Sequence, residues 1–173
     1  TYHALSKILK GKYGVGATNV GYEGGYAPPL AKTRDALDAI MSALDASGYG
    51  EEIRIGLDSA ASSFYVDGGY SVDGNRLSPG ELLDYYVDLV KTYPIVSLED
   101  PFQEEAFDDF ARIAAKLPGT IIIGDDLYVT NIKRLEKGIR MRAGNALLLK
   151  LNQIGTLSEA FDAARMSFRA GWK

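Results

Sequence analysis

The sequence contains no cysteine in its 173 residues. A disulfide framework and thiolate-held zinc or iron–sulfur centres are therefore excluded. Histidine is almost as scarce, with His3 alone. These residues have little from which to build a His-based metal cage or a Ser–His or Cys–His relay. Basic charge is also short: 19 Lys and Arg face 23 Asp and Glu, for a net charge of −4. A nucleic-acid or anionic-membrane surface would need the opposite balance. No apolar run approaches the ~18 residues of a membrane-spanning helix. The opening TYHALSKILKGKYG lacks the apolar stretch of a secretory leader. These absences predict a soluble, cytoplasmic protein. No linker, low-complexity tract or sequence repeat interrupts the chain, and its length suits one domain or part of a larger one. The one surplus is glycine, 19 residues, or ~11% against a usual ~7%.

What is present is a repeat of architecture. Four short β-rich runs stand out: Arg54-Ile55-Gly56-Leu57, Ile95-Val96-Ser97-Leu98, Thr120-Ile121-Ile122-Ile123 and Ala146-Leu147-Leu148-Leu149. Three are nearly continuous apolar stretches, the pattern of strands covered on both faces. Helical signals lie around them. Residues 2–9 read as helical. Thr33 is read as the cap of a helix reaching about Ala46, with Gly48 just past its end. Ser78-Pro79-Gly80-Glu81 is a capping box with proline at the first helical position, and Pro94 follows the helix it opens. Phe107 to Leu117 carries Phe107, Phe110, Ile113, Ala114 and Leu117 on one helical face. Asn131 caps a helix to about Ile139, and Thr156-Leu157-Ser158-Glu159 opens another through about Ala170. Strands alternating with helices of this length run parallel. The fold class is α/β, either an open doubly wound sheet or an arc of a (β/α) barrel.

Each strand run is followed by chemistry. The first ends in Asp58, the second in Glu99-Asp100, the third, after Gly124, in Asp125-Asp126, and the fourth in Lys150. Parallel strands bring their C-terminal ends to one rim, where sites are built. Carboxylates without His or Cys suit a hard divalent cation, above all Mg²⁺. Packed carboxylates repel one another, which a cation would relieve. A lysine beside a divalent cation has its charged form disfavoured and can act as a general base. Such a site suits removal of a proton alpha to a carboxylate. The bland reading stands beside it: a single acid after a strand is usually a cap or a solvated loop residue. Asp100 precedes Pro101 and reads as the start of a turn.

A second feature is Asn19-Val20-Gly21-Tyr22-Glu23-Gly24-Gly25-Tyr26-Ala27-Pro28-Pro29. Its glycines suit a flexible segment presenting Glu23, or an ordinary glycine-rich turn with an exposed acid. The spacing is not that of a dinucleotide-binding fingerprint.

Five stretches together resemble the enolase family, the phosphopyruvate hydratases. They are NVGYEGGYAP (19–28), GLDSAASSFY (56–65), YPIVSLEDPF (93–102), GDDLYVTN (124–131) and NALLLKLNQIGTLSEA (145–160), in the family's order and across nearly the whole chain. The resemblance implies an enolase-like C-terminal domain, a partial TIM-type (β/α) barrel, with residues 1–173 forming part of it. It implies that Asp58, Glu99 and Asp125 hold a tightly bound Mg²⁺ and that Glu99 and Asp125 also face the substrate. Lys150 matches the base that removes the C2 proton of 2-phosphoglycerate. Glu23 matches the glutamate that helps expel the C3 hydroxyl as water, giving phosphoenolpyruvate. A lysine or histidine base with Mg²⁺ is the general pattern of enolase-superfamily sites, so this agreement is not an independent derivation. Family members commonly form homo-oligomers, use a second Mg²⁺ that joins with the substrate, and act in glycolysis.

Two positions depart from the family. Tyr22 stands where an aspartate usually precedes the loop glutamate. Ser63 stands where a glutamate usually follows the first metal ligand. The family's N-terminal domain, its phosphate-binding segment and the end of its barrel have no counterpart in these residues. The expectation is therefore an enolase segment that is inactive or nearly so by itself. The alternative is a non-catalytic fragment serving only as a structural or binding module.

Overall fold

A computed structural model describes all residues, 1–173. The chain divides into two units, residues 1–54 with 72–75, and residues 55–71 with 76–173.

The first unit is built on two helices. Helix α1 (Tyr2–Tyr13) is longer than the predicted 2–9 and ends at Gly14, whose φ of 85° suits glycine. A 3-10 turn over Val15–Thr18 follows. Leu9, Ala17 and Ala39 form a small buried cluster, with Leu5, Tyr13 and Tyr26 packed against it. Helix α2 spans Thr33–Ser47, and Gly48 ends it at φ 73° as predicted. The predicted cap is corrected. Thr33 is the first helical residue, and Lys32 precedes it with no side-chain cap bond. Asp73 supplies the cap: its Oδ1 accepts from the Thr33 backbone N–H at 2.8 Å and from the Thr33 hydroxyl at 3.0 Å.

The second unit holds the parallel strands and most of a small hairpin sheet, whose Val72–Asn75 turn belongs to the first unit. Strand β1 (Ile55–Asp58) leads through a 3-10 turn at Ala61–Phe64 into β2 (Tyr65–Val66), β3 (Gly69–Val72) and β4 (Asn75–Leu77). These last three form an antiparallel sheet in the order β2-β3-β4, which the reading of the sequence passed over. The signal was present. Asp67-Gly68 and Asp73-Gly74 are two-residue turns in which all four residues have positive φ, 48° and 81°, then 53° and 81°. Asp-Gly is favoured there because both central positions need φ above zero.

Helix α3 (Pro79–Thr92) carries the predicted capping box, with both Ser78–Glu81 contacts made. Then come β5 (Ile95–Glu99), α4 (Phe107–Lys116), β6 (Ile121–Gly124), α5 (Ile132–Met141), β7 (Ala146–Leu147), a short α6 (Leu151–Ile154) and α7 (Leu157–Arg169). Strand β7 is shorter than predicted, and α6 lies where no helix was expected. Thr156 caps α7 by accepting from the Glu159 N–H.

The principal sheet is parallel throughout, in the order β1-β5-β6-β7. Neighbours in space follow the order along the chain with no reversal. A doubly wound sheet reverses its order at a switch point; the unreversed order here is that of an arc of a (β/α) barrel. Its backbone pairing runs past β7, since Leu147 N–H donates to Lys173 O and Lys173 N–H to Asn145 O, both at 3.0 Å.

The expectation that the strands are covered on both faces is corrected. In β6, Ile122 is fully buried, whereas Ile121 and Ile123, which point to the opposite face, are only half-buried. Helices α3 and α4 pack on the outer face, and a barrel arc has no strands opposite its inner one. The outer layer is aromatic: Tyr70, Tyr86 and Phe110 each meet Phe102 edge-on at centroid distances of 6.0–6.1 Å. Tyr128 is fully buried against Gly124 and Gly138. A Cβ on either glycine would come within 2.4 Å of the Tyr128 ring, so part of the glycine surplus makes room for one tyrosine.

Candidate active site

The rim of the parallel sheet is where the strand ends meet. Asp58 and Glu99 are the last residues of β1 and β5 and are register partners. Glu99 in turn pairs with Ile123 in β6, two residues before Asp125. Strand β7 pairs with the end of β6, and Leu148 N–H donates to Gly124 O at 3.1 Å, which brings Lys150 to the same rim. The Lys150 ammonium donates to Asp125 Oδ2. Gln153, one turn on, donates through Nε2 to Asp125 Oδ1 at 2.7 Å.

Asp100 is corrected from a turn-starting residue to a buried brace. It is 4% exposed. Its two oxygens accept the backbone N–H groups of Asp125 at 3.0 Å and Asp126 at 2.7 Å. The carboxylates of Asp100, Asp125 and Asp126 thus converge, each with an oxygen within 4.8 Å of the others. Asp58 and Glu99 are outside that group. Asp100 accepts from two backbone donors, which shapes the turn that presents Asp125, whereas the Asp125 oxygens accept only from the movable side chains of Lys150 and Gln153.

Electrostatics ties the rim together. Burial first, then the charges of Asp58, Asp125 and Asp100, push the Glu99 carboxyl up to about 7, with Lys150 pulling it back. Burial raises Asp100 to about 6 against the two N–H groups that favour its charged form. Lys150 is raised, first by its bond to Asp125 and further by the charges of Asp125, Glu99 and Asp126. The chain's own groups therefore hold Lys150 protonated, the reverse of what a base needs. This donor set, oxygen only and in excess of positive charge, fits a hard divalent cation. Removing charge from the carboxylates would also remove what raises Lys150.

The backbone at the rim is unusual. After each of the first three parallel strands a non-glycine residue has positive φ: Ala60 at 43°, Asp100 at 39°, and Val129 and Thr130 at 42° and 56°. For β-branched residues such φ values are outliers, and strain of this kind gathers at functional sites.

Glu23 lies in the first unit. It is exposed at the tip of a turn closed by a Val20–Tyr26 bridge and by Gly21 N–H donating to Gly25 O at 2.7 Å. Tyr2 stacks on Tyr26 at 4.3 Å and donates to Gly24 O at 2.8 Å. The segment is thus a hydrogen-bonded turn. Tyr22 is fully exposed. Ser63 lies in the 3-10 turn after β1, its N–H bonded to Ala60 O at 2.9 Å.

Reasoning from sequence put Asp100 at this rim without its bracing role, and missed Thr130 and Gln153. Asp100 stood beside Glu99 in plain sight, but a local turn residue and a buried brace look alike in sequence. Thr130 and Gln153 carry no local signal, because their partners lie 20 or more residues away.

The family description "Enolase, C-terminal TIM barrel domain" matches residues 1–173. An enolase of Methanothrix thermoacetophila is 75% identical over 173 residues, covering 100% of this chain and 41% of that protein. An enolase of Methanococcoides burtonii is 63% identical over 173 residues, 99% of this chain and 41% of the relative. One of Thermococcus gammatolerans is 54% identical over 177 residues, with coverages of 99% and 41%. The chain thus spans about two-fifths of the length of these relatives. By a match that runs from its first residue to its last, the chain belongs to the enolase family, as C-terminal TIM barrel sequence.

Proposed function

We propose that this chain carries the proton-abstracting half of an enolase active site, which converts 2-phosphoglycerate to phosphoenolpyruvate and water in glycolysis. Lys150, as the neutral amine, takes the C2 proton. The electron pair left at C2 becomes the C2–C3 double bond as the C3–O bond breaks. Glu23, assigned by the family motif alone, gives a proton to the departing hydroxyl, so that water leaves. Asp58, Glu99 and Asp125 would hold Mg²⁺, which when bound supplies positive charge against the substrate carboxylate. Glu99 and Asp125 also border the substrate on this reading. Asp100 keeps the Asp125 turn in shape.

The observation that carries the reading is the Lys150–Asp125 contact at a rim shared with Asp58 and Glu99. A lysine held against a carboxylate that also serves a cation is poised to gain or lose its proton as that charge changes. No helix is long and apolar enough to cross a membrane. A small polyanionic substrate, a cytoplasmic setting and a homo-oligomeric whole enzyme belong to the same proposal.

The test uses a full-length enolase carrying this segment. Lys150→Ala is expected to abolish exchange of the C2 proton with deuterium oxide while Mg²⁺ binding stays measurable by calorimetry. Wild-type exchange in that variant would remove Lys150 as the base. The span of 41% of the relatives favours a second reading, that these residues alone do not turn over substrate.

A further inference from the structure

We propose that Thr130 is a positioning residue that, through Gln153, fixes the proton-transferring Lys150 against Asp125. The proposal rests on the reading of Lys150 as the base.

Thr130 is fully buried directly after Val129, and both have left-handed backbone. β-branched residues rarely adopt that conformation, so surrounding contacts must hold it. The contacts form a closed ring. The Thr130 hydroxyl oxygen accepts the backbone N–H of Lys150 at 2.9 Å and donates to Gln153 Oε1 at 3.0 Å. Gln153 Nε2 then donates to Asp125 Oδ1 at 2.7 Å, and Lys150 reaches Asp125 Oδ2. The ring leaves no freedom in the Gln153 amide. An ionised carboxylate only accepts, so the NH₂ must face Asp125 and the oxygen must face Thr130.

The division of labour with the next residue is clear. Asn131 turns outward and caps α5, accepting from the N–H groups of Lys133 and Arg134. Thr130 instead ties the turn after β6 to the residue that starts α6. A valine would fill the same volume. It would leave the Lys150 N–H and the Gln153 carbonyl without their partner, and the lysine stem would lose its anchor.

The experiment compares Thr130→Val, Thr130→Ser and Lys150→Ala in the full-length enolase carrying this segment. Thr130→Val is expected to lower kcat by about 10–100-fold, as loss of an outer supporting partner does. KM is expected to stay within about threefold, the sign of an interaction that matters in the transition state. Thr130→Ser restores the hydroxyl and should recover most of kcat. A kcat in Thr130→Val within about twofold of wild type overturns the positioning role while leaving the base intact. Persistent C2 exchange in Lys150→Ala overturns the base instead.

A second measurement needs no turnover. Acetic anhydride labelling of Lys150 in metal-free buffer, read by mass spectrometry, should be several-fold faster in Thr130→Val and return to the wild-type rate in Thr130→Ser. Equal rates in all three proteins overturn the link, whatever reaction the enzyme performs. If Thr130→Val does not fold, Gln153→Met removes the same link from a half-buried side chain and carries the same expectations.

Discussion

Asp100 holds Asp125 from behind: its Oδ1 accepts the Asp125 backbone N–H at 3.0 Å. The other oxygen accepts the N–H of Asp126. Asp100→Asn would set an amide NH₂ against one of these N–H groups, donor against donor. The turn must then shift, and Asp125 with it. In the full-length enzyme we predict about 10–100-fold weaker Mg²⁺ binding by calorimetry, the usual cost of an outer-shell defect. Unchanged affinity would mean that the turn keeps its shape without this brace.

Asp73 caps α2 from 40 residues away. Asp73→Ala removes the acceptor for Thr33 and puts alanine at φ 53°. A loss of about 1–2 kcal/mol in urea unfolding is expected from the cap alone. Asp73→Asn keeps an acceptor oxygen and a residue that tolerates left-handed backbone. It should cost clearly less. Equal losses in the two variants would show that the cap contributes nothing.

The same pair marks where sequence reading runs out. A helix, its C-terminal glycine and the α3 capping box are local patterns, and all were legible. The strand ends were legible too, because apolar runs followed by acids or lysine need no partner to be seen. The cap of α2 was not, because its acceptor comes from a distant hairpin. That hairpin was legible in principle through Asp67-Gly68 and Asp73-Gly74, but its short strands lack long apolar alternation. Order along the sheet could not be read from local patterns, so before the strands were paired only the family resemblance separated a barrel arc from a doubly wound sheet. At the rim, Lys150 and the acids were visible one by one. The ring through Thr130 and Gln153 exists only once β6 and α6 are side by side.

Gly138 faces the Tyr128 ring, where an added Cβ would lie 2.4 Å from Cε1 and 2.7 Å from the hydroxyl. Tyr128 cannot swing away, since it is fully buried and donates to Ala143 O. We predict that Gly138→Ala destabilises by about 1–3 kcal/mol, the usual range for overpacking. Gly119→Ala is the control, with open space around its Cβ. If the two variants melt at the same temperature, the slot is softer than its contacts imply.

Glu81 gives a pH dependence of known sign. Its carboxylate accepts the Ser78 backbone N–H at 2.8 Å and the Ser78 hydroxyl at 2.7 Å, which hold its pKa below the ordinary 4.5. A depressed folded pKa adds stability above the unfolded pKa, lost as pH falls through the folded one. The difference in melting temperature between wild type and Glu81→Gln should therefore be constant from pH 7 to about 5 and close below about 4.5. A difference that persists at pH 3 would assign it to packing and not to charge.

The 173-residue chain itself offers the sharpest contrast between binding and turnover. It contains the three carboxylates proposed as Mg²⁺ ligands, yet the inner face of the sheet is uncovered, with Ile121 and Ile123 only half-buried. A closed (β/α) barrel takes about 250 residues. Water on the inner face screens the charges that must act on the substrate and weakens every electrostatic contribution to catalysis. Mg²⁺ needs only the oxygen donors, so millimolar Mg²⁺ should still raise the melting temperature of the chain by linkage. Asp125→Asn should abolish that rise. Phosphoenolpyruvate absorbance should stay flat with 2-phosphoglycerate, with and without Mg²⁺. Sustained product formation by the purified chain would show that this rim catalyses with its inner face open, and would overturn the dependence on barrel closure.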